Sequence, residues 1–144
     1  MDIELKGKKV LLVEDNEMNR KISAEVLSDE GVIVTEAEDG DIAVDILKMS
    51  SKDSFDFVLM DIMMPRMDGY SAAAAIRALN DKDVAAIPII AMTAADSEED
   101  KEKSLEVGMN AHLSKPVKIP ELLSTIKNFL QSYSALDSVL SKLE

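Results

Sequence analysis

The sequence predicts an α/β fold: a doubly wound, five-stranded parallel sheet of strand order 2-1-3-4-5 with five helices. Three observations lead there. Five short apolar runs alternate with stretches whose apolar residues repeat at the helical period. The central runs are nearly continuous rather than alternating, as in strands covered on both faces. Connections of a few residues suit right-handed β–α–β crossovers.

Each element has its own warrant. The first run, residues 10–13 (VLLV), contains no polar position. Met18, Ile22, Val26 and Leu27 then form an apolar stripe, and Gly31 ends that helix. Residues 32–36 (VIVTE) make a short, edge-like second strand. Asp39 caps the second helix, whose Ile42, Ala43, Ile46 and Leu47 share a face. Residues 55–60 (FDFVLM) are the third strand, and the Ala-rich residues 71–79 are a third helix able to approach the sheet closely. Residues 87–92 (IPIIAM) are the fourth strand, with Pro88 confined to its start. Ser97 caps the fourth helix, Asp100 closes a capping box and Gly108 ends it. Residues 111–114 (AHLS) make a weak fifth strand. The fifth helix starts near Pro120 and repeats Leu122, Leu123, Ile126, Phe129 and Leu130. A closed eight-stranded barrel needs about 250 residues, more than this chain has.

Residues 1–131 read as one domain and residues 132–144 as a partly helical C-terminal extension. There Tyr133, Leu136, Leu140 and Leu143 recur at helical spacing, with Leu136 and Leu140 as the anchors.

Composition removes whole classes of function. With no cysteine, a disulfide framework, a thiolate nucleophile and Cys-ligated metal are excluded. A formal charge of −12 opposes nucleic-acid binding. No apolar run approaches the length of a membrane span and no signal-peptide pattern follows Met1, so a cytoplasmic protein without direct membrane insertion is expected. GxGxxG, GxxxxGK[ST] and GxSxG are absent. A DxD phosphatase loop would need Asp at Met63. His112 is the single histidine, which removes His-based triads and multi-histidine metal sites.

Ligands of open parallel sheets bind beyond the carboxyl ends of the strands, where the order reverses. This chain places Glu14 and Asp15 after the first strand, Asp61 after the third, Thr93 after the fourth, and Lys115 with Pro116 after the fifth. Three carboxylates, a hydroxyl and an ammonium therefore converge. Carboxylates so close repel unless a cation intervenes, and an oxygen-only donor set suits Mg²⁺. Asp61 follows an apolar strand directly, so its backbone is fixed. A carboxylate held there can attack phosphorus without a general base, while Lys115 and the metal offset phosphoryl charge and Thr93 donates a hydrogen bond.

The stretches LLVEDNEMNR (residues 11–20), DFVLMDIMMPRMDGY (56–70), PIIAMTA (88–94) and GMNAHLSKP (108–116) together resemble the receiver (CheY-like) domains of two-component response regulators. The resemblance covers about residues 7–131 and is strongest to receivers of hybrid histidine kinases and phosphorelay proteins. It implies a flavodoxin-like fold and phosphotransfer from phosphohistidine, on a histidine kinase or a histidine phosphotransfer protein, to Asp61. It implies Mg²⁺ on Asp15, Asp61, the backbone carbonyl of Met63 and, through water, Glu14. It casts Thr93 as the switch residue and Lys115 as the phosphoryl-binding lysine, with Pro65 and Gly69 shaping the loop after the acceptor. One departure stands out: the family usually carries Tyr or Phe where this chain has His112, the position coupled to the switch threonine.

Two further features need weighing. Met60, Met63, Met64 and Met67 cluster around the acceptor loop and read as core and loop packing rather than a binding surface. The fourth helix is unusually polar, so its docking is weak, and it is expected to serve output or homodimer contacts with the fifth strand and fifth helix. Any kinase activity would belong to a longer parent chain; the receiver itself would only phosphorylate and slowly dephosphorylate itself. The alternative to phosphotransfer is a receiver-like module that binds protein partners without being phosphorylated.

Overall fold

The structure, a computed structural model, describes residues 5–93, 97–115 and 118–142, with side chains through Gln131. Elements follow in the order β1 (Lys9–Val13), α1 (Glu17–Asp29), β2 (Ile33–Ala37), α2 (Gly40–Lys48), β3 (Phe57–Asp61), α3 (Gly69–Arg77), α4 (Lys82–Ala85), β4 (Ile89–Thr93), α5 (Glu98–Glu106), β5 (Ala111–Ser114) and α6 (Ile119–Lys142). All strands are parallel in one sheet of order β2-β1-β3-β4-β5. That is the predicted topology.

Helix starts follow short polar caps. Asn16 accepts the N–H of Asn19 at 2.9 Å, Asp68 that of Ser71 at 2.8 Å, and Ser97 with Asp100 forms the expected capping box. Each cap satisfies N–H groups that the helix leaves without an internal partner.

Two apolar layers sandwich the sheet. One face of the sheet packs Leu11, Val13, Val58, Met60, Ile89 and Ala91 against Val44 and Leu47 of α2 and Ala72, Ala73 and Ile76 of α3. The other packs Val10, Leu12, Leu59, Ile90 and Met92 against Leu27 of α1 and Leu122, Ile126 and Leu130 of α6. Every residue of β3 and β4 is buried, which explains their continuous apolar runs.

Four differences from the sequence reading are informative. Among the described residues there are six helices, not five. The extra one-turn α4 forms because Asp81 accepts the N–H groups of Asp83 and Val84 while Val84 and Ala85 are buried. The inward face of α1 is Arg20, Ala24 and Leu27, an i, i+4, i+7 set. Met18 and Ile22 are instead 73% and 52% exposed. Periodicity alone preferred the stripe without a charge. β3 and β4 each begin two residues later and end one residue later than predicted, so Asp61 and Thr93 are the last residues of their strands. The methionines divide: Met60 and Met64 are buried and Met67 packs on the core, whereas Met63 is 71% exposed where the chain leaves the sheet.

Helix α6 continues unbroken to Lys142. The expected anchors Leu136 and Leu140 lie outside the described side chains.

Candidate functional site

The carboxyl ends of β1, β3, β4 and β5 are brought into line by register, with Val13 opposite Met60, Asp61 opposite Met92 and Thr93 opposite Ser114. Glu14, Asp61 and Thr93 are buried and Asp15 is exposed. One carboxylate oxygen from each of Glu14, Asp15 and Asp61 lies within 4.8 Å of the others. Lys115 reaches over this cluster, its Nζ 2.8 Å from Asp61 Oδ1 and 3.5 Å from Glu14 Oε1. A backbone hydrogen bond of 2.7 Å from the N–H of Lys115 to the carbonyl of Thr93 ties the base of that lysine to the end of β4. The expected convergence is present at the sheet edge; Pro116 lies outside the described residues.

The electrostatics follow from this crowding. Burial first, then the hydrogen bond and charge of Asp61, push Glu14 up from 4.5 to about 7, against the pull of Lys115. For Lys115, burial acts downward as the largest single influence, but its contacts with Asp61 and Glu14 together outweigh it and hold the ammonium charged above its ordinary range. Glu14 Oε2 is buried with no hydrogen-bond partner. An unsatisfied buried carboxylate oxygen is costly, so the pocket lacks positive charge even with Lys115 in place. The residues present thus fit a hard divalent cation: oxygen donors, surplus negative charge and an orphaned acceptor.

The loop after Asp61 is tightly constrained. Gly69 donates its N–H to the carbonyl of Ile62 at 2.9 Å, and a Cβ at Gly69 would stand 2.5 Å from the carbonyl oxygen of Asp61. Only glycine permits that approach. Ile62 and Met64 are buried on either side of exposed Met63, and Pro65 is exposed at the loop's turn.

His112 is half-buried on β5, opposite Ala91. It lines a cavity of about 300 Å³ between α5 and β5 with Ser104, Leu105 and Met109. Ser104 is the one buried residue of α5, in keeping with the weak docking expected of so polar a helix, and Lys103 lies over the Tyr70 ring at 4.5 Å.

The sequence reading missed Arg20. Its guanidinium is buried and donates from Nη1 to the carbonyl of Glu14 at 2.9 Å and from Nε to Glu36 at 3.1 Å, fixing the turn that carries the acidic pair. The available signal was a charged residue one turn after the Asn16 cap, on the face that must meet the sheet. Asp39, read only as a helix cap, also accepts N–H groups from the loop after Asp61.

Comparison with known proteins places this geometry. The family model for the response regulator receiver domain matches residues 10–127. The chain belongs to the response regulator receiver family. It is 42% identical over 127 residues to hybrid signal transduction histidine kinase B of Dictyostelium discoideum, a match spanning 82% of this chain and 6% of that protein. The chain is thus a small part of the length of such relatives. Among solved structures it resembles the receiver domain of a sensor histidine kinase of Pseudomonas aeruginosa, crystallised with magnesium in its active-site cleft (38% identity, TM-score 0.76, 87% of this chain and 98% of that one). It also resembles the receiver domain of the Arabidopsis thaliana histidine kinase CKI1 complexed with Mg²⁺ and BeF₃⁻ (31% identity, TM-score 0.78, 89% and 92%). The receiver fold and membership of two-component systems are established on these grounds. Among the described residues no helix is long and apolar enough to cross a membrane.

Proposed function

We propose that this receiver accepts a phosphoryl group on Asp61 from the phosphohistidine of a histidine kinase or a histidine phosphotransfer protein. The observation that carries the reading is the buried Asp61 carboxylate with Lys115 Nζ 2.8 Å away and two further carboxylates beside it. An Asp61 oxygen forms the new O–P bond, the P–N bond of the donor breaks, and the leaving imidazole takes up a proton. A carboxylate nucleophile needs no general base to activate it. Lys115 is placed to bind a phosphoryl oxygen, and Thr93, at the end of β4, to donate its hydroxyl to another.

Asp15, Asp61 and the Met63 carbonyl would hold Mg²⁺ directly and Glu14 through water. When bound, the ion supplies positive charge that offsets both carboxylate repulsion and charge on the phosphoryl oxygens. The magnesium described for the Pseudomonas and Arabidopsis receivers supports this assignment.

The exposed Met18 and Ile22 of α1 offer an apolar contact for the phosphodonor protein, and the face of α5, β5 and α6, with exposed Leu105 and the His112 cleft, is the surface for output or a homodimer. His112 takes the coupling position behind Thr93. A cytoplasmic setting, with the N-terminal 131 residues as the receiver and the remainder as a partly helical C-terminal extension, completes the proposal.

Incubation of the protein and its Asp61→Asn variant with acetyl phosphate, with and without Mg²⁺, followed by intact mass measurement, tests it. One added phosphoryl group, dependent on Mg²⁺ and missing from the variant, is expected. No mass gain by the unmodified protein would favour the binding-module alternative.

A further inference from the structure

We infer that Asp39 is a positioning residue for the cation site, acting through the loop that joins β3 to α3; the inference rests on the Mg²⁺ reading proposed above. Asp39 is only 3% exposed, and its carboxylate grips main chain. Oδ1 accepts the N–H of Met67 at 3.1 Å and of Asp41 at 3.4 Å, and Oδ2 accepts the N–H of Arg66 at 3.3 Å. A buried carboxylate that receives backbone N–H groups from two elements is an expensive way to cap one helix. A serine would cap α2 as well. What a serine lacks is reach.

The neighbouring contacts reinforce the grip. A Cβ on Gly40 would stand 2.6 Å from the Met67 carbonyl oxygen, so the start of α2 presses directly on the loop backbone. Arg66 pairs with Asp41 through Nη2 at 2.8 Å. At its other end the loop is closed by the hydrogen bond from Gly69 to Ile62. Met63 therefore lies between a clamp at Ile62 and Gly69 and a second clamp at Arg66 and Met67, with buried Ile62 and Met64 as its immediate neighbours. The donor at Met63 is a main-chain carbonyl, whose position only the loop backbone can set. Asp39 fixes that backbone from the far side.

The test compares the 144-residue protein with Asp39→Asn, Asp39→Ser and, as a control, Asp15→Asn. Mg²⁺ binding is measured by calorimetry, and amide hydrogen exchange is followed at Arg66 and Met67. Asparagine keeps an oxygen for Met67 and Asp41 but no charge; serine keeps the helix cap but releases the loop. Asp39→Ser should weaken Mg²⁺ binding about tenfold and speed exchange at Arg66 and Met67, while Asp39→Asn stays within about threefold of the parent.

Equal weakening by Asn and Ser would assign the effect to charge and overturn the inference, as would unchanged Mg²⁺ affinity in Asp39→Ser despite faster exchange. If Asp39→Ser does not fold, Gly40→Ala displaces the same loop from the α2 side and should weaken Mg²⁺ binding likewise; unaltered affinity there overturns the inference. Undiminished binding in Asp15→Asn would instead remove the Mg²⁺ reading itself.

Discussion

Lys115 Nζ lies 2.8 Å from Asp61 Oδ1 but 3.5 Å from Glu14 Oε1, so this ammonium is committed chiefly to the proposed acceptor. The pair joins the ends of β5 and β3, which are not neighbours in the sheet. Asp61 is rigid because its strand is wholly buried, whereas Lys115 keeps part of its side chain in solvent and can follow a charge that moves.

Lys115→Ala should therefore slow phosphorylation by acetyl phosphate by about a hundredfold, comparable to removing one preorganised donor from a developing anion. Rapid-quench mass analysis of the variant at saturating Mg²⁺ measures this. A rate within threefold of the parent would mean the lysine serves only to neutralise the resting site.

Asp15→Asn should weaken Mg²⁺ binding at least tenfold while raising the melting temperature of the metal-free protein. The amide removes a direct ligand and, at the same time, one of three mutually repelling carboxylates. Melting curves in chelator and in Mg²⁺ should cross over between parent and variant.

The pH dependence has a definite sign. Glu14 is raised from 4.5 to about 7, chiefly by burial and then by Asp61, so the folded protein binds this proton more tightly than the unfolded chain. Its contribution to stability is complete below about pH 4.5 and is lost as pH rises to about 7. In metal-free protein the slope from this group is at most about 1.4 kcal/mol per pH unit. Urea titrations of the parent and Glu14→Gln across that range should differ by such a slope, the variant being flatter. Parallel curves would show that Glu14 titrates normally.

Arg20→Lys should destabilise the fold by about 2–4 kcal/mol, since the buried guanidinium serves the Glu14 carbonyl and Glu36 together and a lysine cannot reproduce that fork. Urea unfolding in chelator checks it. A loss under 0.5 kcal/mol, on the order of a neutral surface change, would show that the turn holds itself.

How much of this was legible beforehand depended on whether a residue's role is local. The strands of the sheet centre announced themselves because burial on both faces forbids polar positions, and the acidic residues announced themselves by falling at the strand ends. Arg20 and the second function of Asp39 did not, because Arg20 joins the nearby Glu14 carbonyl to the Glu36 carboxylate of β2, Asp39 grips the main chain of a distant loop, and neither leaves a periodic trace. The face of α1 was misread for a related reason: its inward stripe includes a charge that only tertiary hydrogen bonds make acceptable. Helix α4 was missed because one turn is too short to show a period.

Reduction of the phosphorylated protein with borohydride, which converts an aspartyl phosphate to homoserine, followed by peptide mass mapping, tests the central claim most directly. Homoserine at position 61 and aspartate at positions 15, 56 and 68 is the predicted result. Homoserine at another aspartate with residue 61 unchanged, in protein phosphorylated to one group per chain, would contradict it.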